Sequence, residues 1–138
     1  MSVISIGHAL VAEMLARASA SKNEICGILG GEHSGTVNRA LCVEWLKNID
    51  SNPEVSYYAD PEQLIQSVSK IEERGMVLIG IAHSHPSGTD HPSEWDVKKA
   101  TWFGYSHFIL APEEDNPISS WLWDQNAGKF VREEIVIE

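Results

Sequence analysis

The stretch His83-Ser84-His85-Pro86-Ser87-Gly88-Thr89-Asp90-His91-Pro92-Ser93-Glu94-Trp95-Asp96 carries the densest set of residues able to do chemistry. His83 and His85 stand two apart at the end of an extended apolar run, so their side chains leave the same face. Ile79 and Ile81 share that parity and are expected to anchor both rings from below. Pro86 stops the strand, and Gly88 and Pro92 turn the chain. Ser93 then opens a helix with Asp96 on its first turn, where the carboxylate can point back at the imidazoles. Two His and one Asp supply three ligands for zinc and leave a fourth position to water. That is the pattern of a catalytic rather than a structural site.

Such a site also needs a base outside the ligand set. Glu24 is the best candidate. It begins an apolar run, Glu24-Ile25-Cys26-Gly27-Ile28-Leu29-Gly30, where a charge is costly without a task or a partner. Ser93 and Asp96 also read as a capping box, S-x-x-D, which would fix the geometry that lets Asp96 reach a metal. His91 is read as a solvent-facing loop residue, His107 as structural, and His8 and His33 as surface residues. Cys26 and Cys42 form no C-x-x-C pair and no disulfide framework, and read as small buried hydrophobes of a reducing compartment. The alternative for Cys26 is a place in the active site, near Glu24.

Several elements must hold these residues in place. Residues 2–6 suggest a strand and 8–19 a helix, with Leu10/Met14 and Val11/Leu15 at four-residue spacing. Residues 24–30 read as a buried strand with a turn at Gly30-Gly31, and 36–47 as a strand partnered around 54–59. Asp60-Pro61 caps and starts a helix that Gly75 ends after Arg74. Residues 76–83 are apolar on both parities, as in a strand covered on both faces. A helix is expected from Ser93 to about Phe103, with Trp95 and Trp102 on one buried face. Strands are expected at 105–111, 118–124 and 129–137. Trp121 and Trp123 share a strand face, either under a helix or as a partner patch. The order is α/β: one domain over 1–138 with a central mixed sheet flanked by helices.

Composition narrows the partners. Of 138 residues, 43% are hydrophobic and 22% charged, ordinary for a folded soluble domain. Ten basic residues against twenty acidic ones give a formal charge of −10, which argues against nucleic acid and anionic membranes as partners. The N-terminal stretch lacks a basic region, and His8, Glu13 and Arg17 interrupt it, so it does not read as a signal peptide. A cytoplasmic location is expected.

The combined pattern resembles a known family. H-x-H-P, a short loop, then P-S-x-x-D is similar to the JAMM motif of the MPN+ metalloproteases, matched by His83, His85, Pro86, Ser93 and Asp96. Upstream, Glu24-x-Cys26-Gly27-x-Leu29-x-Gly31 resembles that family's E-x-C-G-L-L-x-G segment. The resemblance implies an MPN fold related to cytidine deaminases, with Zn²⁺ bound by His83, His85, Asp96 and a water. It implies that Glu24 activates the water and returns the proton to the leaving amine, and that Ser93 stabilises the oxyanion. It implies hydrolysis after the C-terminal Gly-Gly of a ubiquitin-like or sulfur-carrier protein. The short segments before Tyr57 and at Ala111–Ser119 resemble compact archaeal or bacterial members, without the insertions of eukaryotic deubiquitinating ones. The His-Pro-Ser-Gly wording also resembles RadC-type proteins, but Glu24-Ile25-Cys26-Gly27 fits the peptidase branch better and the acidic charge does not suit DNA. A non-catalytic MPN scaffold is the alternative, although no ligand position is missing. A zinc deaminase would need H-x-E with P-C-x-x-C, and neither is present.

Overall fold

The computed structural model describes residues 2–138. The elements run β1 (Val3–Ile6), α1 (His8–Ser19), β2 (Cys26–Ser34), β3 (Val37–Leu46), α2 (Pro61–Glu73), β4 (Val77–Ser84), α3 (Glu94–Lys98), β5 (Ser106–Leu110), β6 (Ile118–Asp124) and β7 (Lys129–Ile137). The sheet is mixed, as expected, with the order β1-β3-β2-β4-β5-β6-β7, and it closes on itself because β7 returns to pair parallel with β1. Parallel pairs also join β1 to β3 and β4 to β5, and the remaining neighbours are antiparallel. Closure satisfies both edges of the sheet, which would otherwise expose unpaired backbone.

Two apolar clusters hold the helices to the sheet. Val11, Met14 and Ala18 of α1 pack with Ile4, Ile6, Leu29, Phe108 and Leu110. Ile71 of α2 packs with Cys26, Ile28, Leu46 and Ile81, joined by Tyr57, Leu64 and Trp102. Met14, Phe108 and Ile71 are fully buried, each adding about 1.5–3 kcal/mol of apolar burial. The N-terminus of α2 is as the sequence suggests: the Asp60 side chain accepts from the Glu62 N–H, and Pro61 fills the first turn. Gly75 follows the helix at φ 77°, a conformation glycine adopts without strain.

The structure corrects five local readings. Gly30-Gly31 is not a turn. β2 runs on to Ser34, and the turn falls at Gly35, φ 63°. A Cβ on Gly31 would lie 1.7 Å from the Arg39 carbonyl oxygen, so glycine is there for close strand approach. Residues 54–59 are not a strand. A single bridge, Asn48 to Ala59, replaces it, and β3 pairs with β1 and β2 instead. The register of β4 against β2 skips Ile79, pairing Leu29 with Gly80 and Gly30 with Leu78. That bulge reverses the side-chain parity. Ile81 therefore lies in the α2 cluster while Ile79 packs in the α1 cluster, so only Ile81 supports His83 from below. The third helix stops at Lys98, and Trp95 is 46% exposed. Trp102 lies beyond it and packs against the α2 cluster. Trp121 is buried, with Arg132 over its ring at 4.4 Å, whereas Trp123 is half-buried against Phe103 and Phe130.

Candidate active site

The C-terminal end of β4 delivers His83, and the chain just past it delivers His85. The backbone there is held firmly: the His85 N–H donates to the Leu110 carbonyl, and Ser84 Oγ accepts from the Ile25 N–H. The His83 ring stacks on Tyr57 with centroids 4.6 Å apart. His85 is oriented by a 2.7 Å contact of Nδ1 with the Thr89 carbonyl oxygen. A carbonyl can only accept, so Nδ1 carries a proton, and in the neutral ring Nε2 keeps its lone pair.

Asp96 enters from the first turn of α3. Ser93 Oγ accepts from the Asp96 N–H at 3.1 Å, and Asp96 Oδ2 accepts from the Ser93 N–H at 2.8 Å. The box read from the sequence is thus complete, and it aims the carboxylate at the histidines. His83 Nε2 and His85 Nε2 are 3.1 Å apart, and each stands 3.0–3.2 Å from an Asp96 oxygen. Metal–nitrogen bonds of about 2.0–2.1 Å at tetrahedral angles put neighbouring donors about 3.3 Å apart. The three donors fit one small divalent cation on that count, and their imidazole and carboxylate chemistry suits it. Burial opposes the charge on Asp96, yet His83, His85 and the Ser93 N–H hold its carboxyl well below the usual range.

Glu24 lies two residues before the start of β2 and is buried. Its backbone is pinned on both sides: its N–H donates to the Pro53 carbonyl, and its carbonyl accepts from Asn48 Nδ2. Asn48 also donates to the Ser56 carbonyl and accepts from the Asp50 and Tyr58 N–H groups, so the amide is fully used. Burial pushes the Glu24 carboxyl up to about 8, with His85 acting against it. Among the described residues, Glu24 Oε1 and His83 Nδ1 are the buried side-chain atoms without a hydrogen-bond partner. Both belong to this site. An orphaned carboxylate oxygen is costly in a purely structural setting and useful where a water must be worked.

His91 is exposed and pairs with Asp90, outside the ligand cluster. His107 is buried against the Trp102 carbonyl. His8 and His33 lie on the surface. Cys26 is fully buried under Glu24, and burial with that neighbouring charge pushes its thiol up to about 12. A thiol so placed is inert. Sequence reasoning missed Asn48, Tyr57 and Lys99. Lys99 Nζ reaches Asp50 Oδ2 at 2.8 Å and Ser56 Oγ at 2.6 Å, tying the end of α3 to the loop beside Glu24. A lone Asn after a strand gives no sign of a four-bond clamp, because its partners come from separate segments.

Fold and site together define a class: a mixed-sheet α/β domain with a His/His/Asp metal-binding cluster at a strand end and a buried carboxylate beside it. The chain belongs to the family of prokaryotic homologs of the JAB domain, whose model matches residues 8–124. It is 34% identical over 103 residues to a desampylase of Haloferax volcanii, covering 74% of this chain and 72% of that one. It is 32% identical over 137 residues to a desampylase of Pyrococcus furiosus, covering 99% and 92%. A shorter match, 40% over 57 residues, joins it to a probable TtuB-protein conjugate cleaving protease of Thermus thermophilus, covering 41% and 38%. Among solved structures it resembles a protein from Desulfitobacterium hafniense, with TM-score 0.86, 30% identity and coverage of 98% and 92%. It also resembles a JAB1/MPN domain protein from Archaeoglobus fulgidus, with TM-score 0.58, 25% identity and coverage of 96% and 98%. The JAB1/MPN fold expected from the motif is thereby established. Among the described residues, no helix is long and apolar enough to cross a membrane.

Proposed function

We propose that this chain is a zinc-dependent isopeptidase or peptidase that hydrolyses the bond after the C-terminal Gly-Gly of a ubiquitin-like or sulfur-carrier protein. The observation that carries the reading is the convergence of His83, His85 and Asp96 on one point beside an unpartnered carboxylate oxygen of Glu24. The names of the relatives, desampylase and conjugate-cleaving protease, support the substrate class. The shared closed sheet supports one catalytic domain over 1–138. The two free cysteines, Cys26 and Cys42, support a cytoplasmic location.

His83, His85 and Asp96 would hold the zinc, which when bound would supply a Lewis acid and lower the pKa of water. Asp96 balances part of the charge, and Ser93 keeps its carboxylate in position. Glu24 takes a proton from water at its free oxygen and returns it to the nitrogen of the leaving amine. The two transfers use one group in both directions, so no second acid is required. Ser93 Oγ accepts from the Asp96 N–H, which leaves its hydroxyl proton free to donate to a developing oxyanion. Tyr57 covers the His83 face and keeps water from that side.

The test is incubation of the zinc-loaded chain with Gly-Gly-linked conjugates of ubiquitin-like and sulfur-carrier proteins, read by mass spectrometry. Release of a carrier ending in Gly-Gly, abolished by a chelator and restored by zinc, is the expected result. Full zinc loading with every conjugate intact would favour the scaffold reading instead.

A further inference from the structure

Segment 48–58 touches both parts of the site. The Pro53 carbonyl accepts from the Glu24 N–H at 2.7 Å, and Asn48 Nδ2 donates to the Glu24 carbonyl at 2.8 Å. Tyr57, from the same segment, stacks on His83. Yet the segment has little regular structure, only a turn and the bridge from Asn48 to Ala59. Its own bonds curl it on itself: Asn48 Oδ1, Asp50 Oδ1 and the Asn52 carbonyl all accept from nearby N–H groups. Those bonds do not fix it against α3, which carries Asp96.

Lys99 makes that link. Its N–H closes α3 on the Trp95 carbonyl, three residues after Asp96. Its Nζ donates to Asp50 Oδ2 at 2.8 Å and to Ser56 Oγ at 2.6 Å. Among the described residues, these are the hydrogen bonds that join α3 to segment 48–58. An exposed ion pair usually contributes little, because two long side chains must be held in one geometry. Here the receiving groups are already fixed. Ser56 is 5% exposed and the Asp50 side chain 11%, so one ammonium grips two ordered acceptors. The geometry points to Lys99 as a positioning residue: its bonds to Asp50 and Ser56 clasp segment 48–58 to the helix of Asp96, and so set where Glu24 stands against the metal ligands. This rests on the reading that Glu24 works the water of a hydrolase. It adds to that site a group outside both sequence motifs, one that touches no reacting atom itself.

The experiment compares Lys99→Met, Asp50→Asn and the double variant with the wild type, each as the zinc-loaded full chain. Methionine keeps most of the stem and loses the ammonium. Asparagine keeps the oxygen that accepts from the Asn52 N–H. The two substitutions break one clasp but change the charge near Glu24 in opposite senses. Amide hydrogen exchange at Glu24 and Tyr58 should speed up by about tenfold in both, while Ile81 and Ala82 of β4 stay as in the wild type. Zinc content should not change. For a Gly-Gly conjugate, kcat should fall by about ten- to a hundredfold in each, with KM moving far less. The double variant should be no slower than Lys99→Met. Unaltered exchange at Glu24 and Tyr58, or unaltered kcat, overturns the proposal. So does a pH profile displaced in opposite directions by the two substitutions with its plateau intact, because charge alone would then be at work. Faster exchange in both variants, with no conjugate cleaved by the wild type, supports the clasp and overturns the hydrolase reading. Cleavage by the wild type, with exchange and rate unmoved in the variants, overturns the role of Lys99 and leaves the hydrolase reading standing.

Discussion

Glu24 pays for its position in a way that can be measured apart from catalysis. Its carboxyl is raised from 4.5 to about 8 by burial in the metal-free chain. An acid bound more tightly to its proton when folded costs nothing below the unfolded value. The cost grows as pH rises toward the folded value and is constant above it. At that plateau it is on the order of 3–5 kcal/mol. Glu24→Gln should therefore stabilise the metal-free protein, by far more at pH 9 than at pH 5, in thermal or denaturant unfolding. An equal gain at both pH values would show that Glu24 is not buried as described. That His83, His85 and Asp96 come together was legible in the sequence, because their spacing on an extended run and a capped turn limits where they can point, whereas Glu24 stood out as a charge opening an apolar run. Asn48, Tyr57 and Lys99 were not. Each acts through a contact distant in the chain, such as Tyr57 with His83 or Lys99 with Asp50, and no local pattern encodes it.

Among the elements, α3 does most to build the site from least material. Five residues long, it owes its start to the reciprocal Ser93–Asp96 bonds. Ser93→Ala should cost about 1 kcal/mol of stability and weaken zinc binding, because Asp96 loses its orientation. Ser93→Asn restores a capping oxygen but not the hydroxyl. It should recover stability and zinc affinity while turnover stays down by about a hundredfold. Full recovery of turnover with Asn would confine Ser93 to the cap. At the strands, Gly31→Ala must push β2 and β3 apart, since the added carbon meets the Arg39 carbonyl. A loss of at least about 2 kcal/mol is expected in denaturant unfolding. The helices α1 and α2 were legible to within a residue, because period and caps mark them. The parity of Ile79 was not, because a bulge is set by the partner strand rather than by the sequence that bulges. The excess length read into α3 put Trp95 and Trp102 on one helical face. Those side chains instead divide between solvent and the α2 cluster.

Across the whole molecule, closure of the sheet joins β1 to β7, and backbone bonds from His8 to Glu138 and from Glu138 to Ile6 seal the seam. That pairing spans nearly the full chain, so local reading could supply the strands and their mixed directions but not the ring they form. Its consequence is a closed frame in which the end of β4 and the residue just past it present His83 and His85, with Asp96 of α3 and Glu24 before β2 beside them. A metal that binds only this assembled frame must stabilise it. Zinc should raise the melting temperature of the wild type, and His83→Ala should abolish most of that rise. The proposed division of labour, a cluster that holds the metal and a separate carboxylate that works the water, stands or falls on zinc content and Gly-Gly conjugate cleavage measured together on wild type and Glu24→Gln. About one zinc per chain is expected in both, with a loss of about 10²–10⁴-fold in kcat for the variant. A Glu24→Gln protein that cleaves as fast as wild type, or a wild type that holds no zinc, would contradict it.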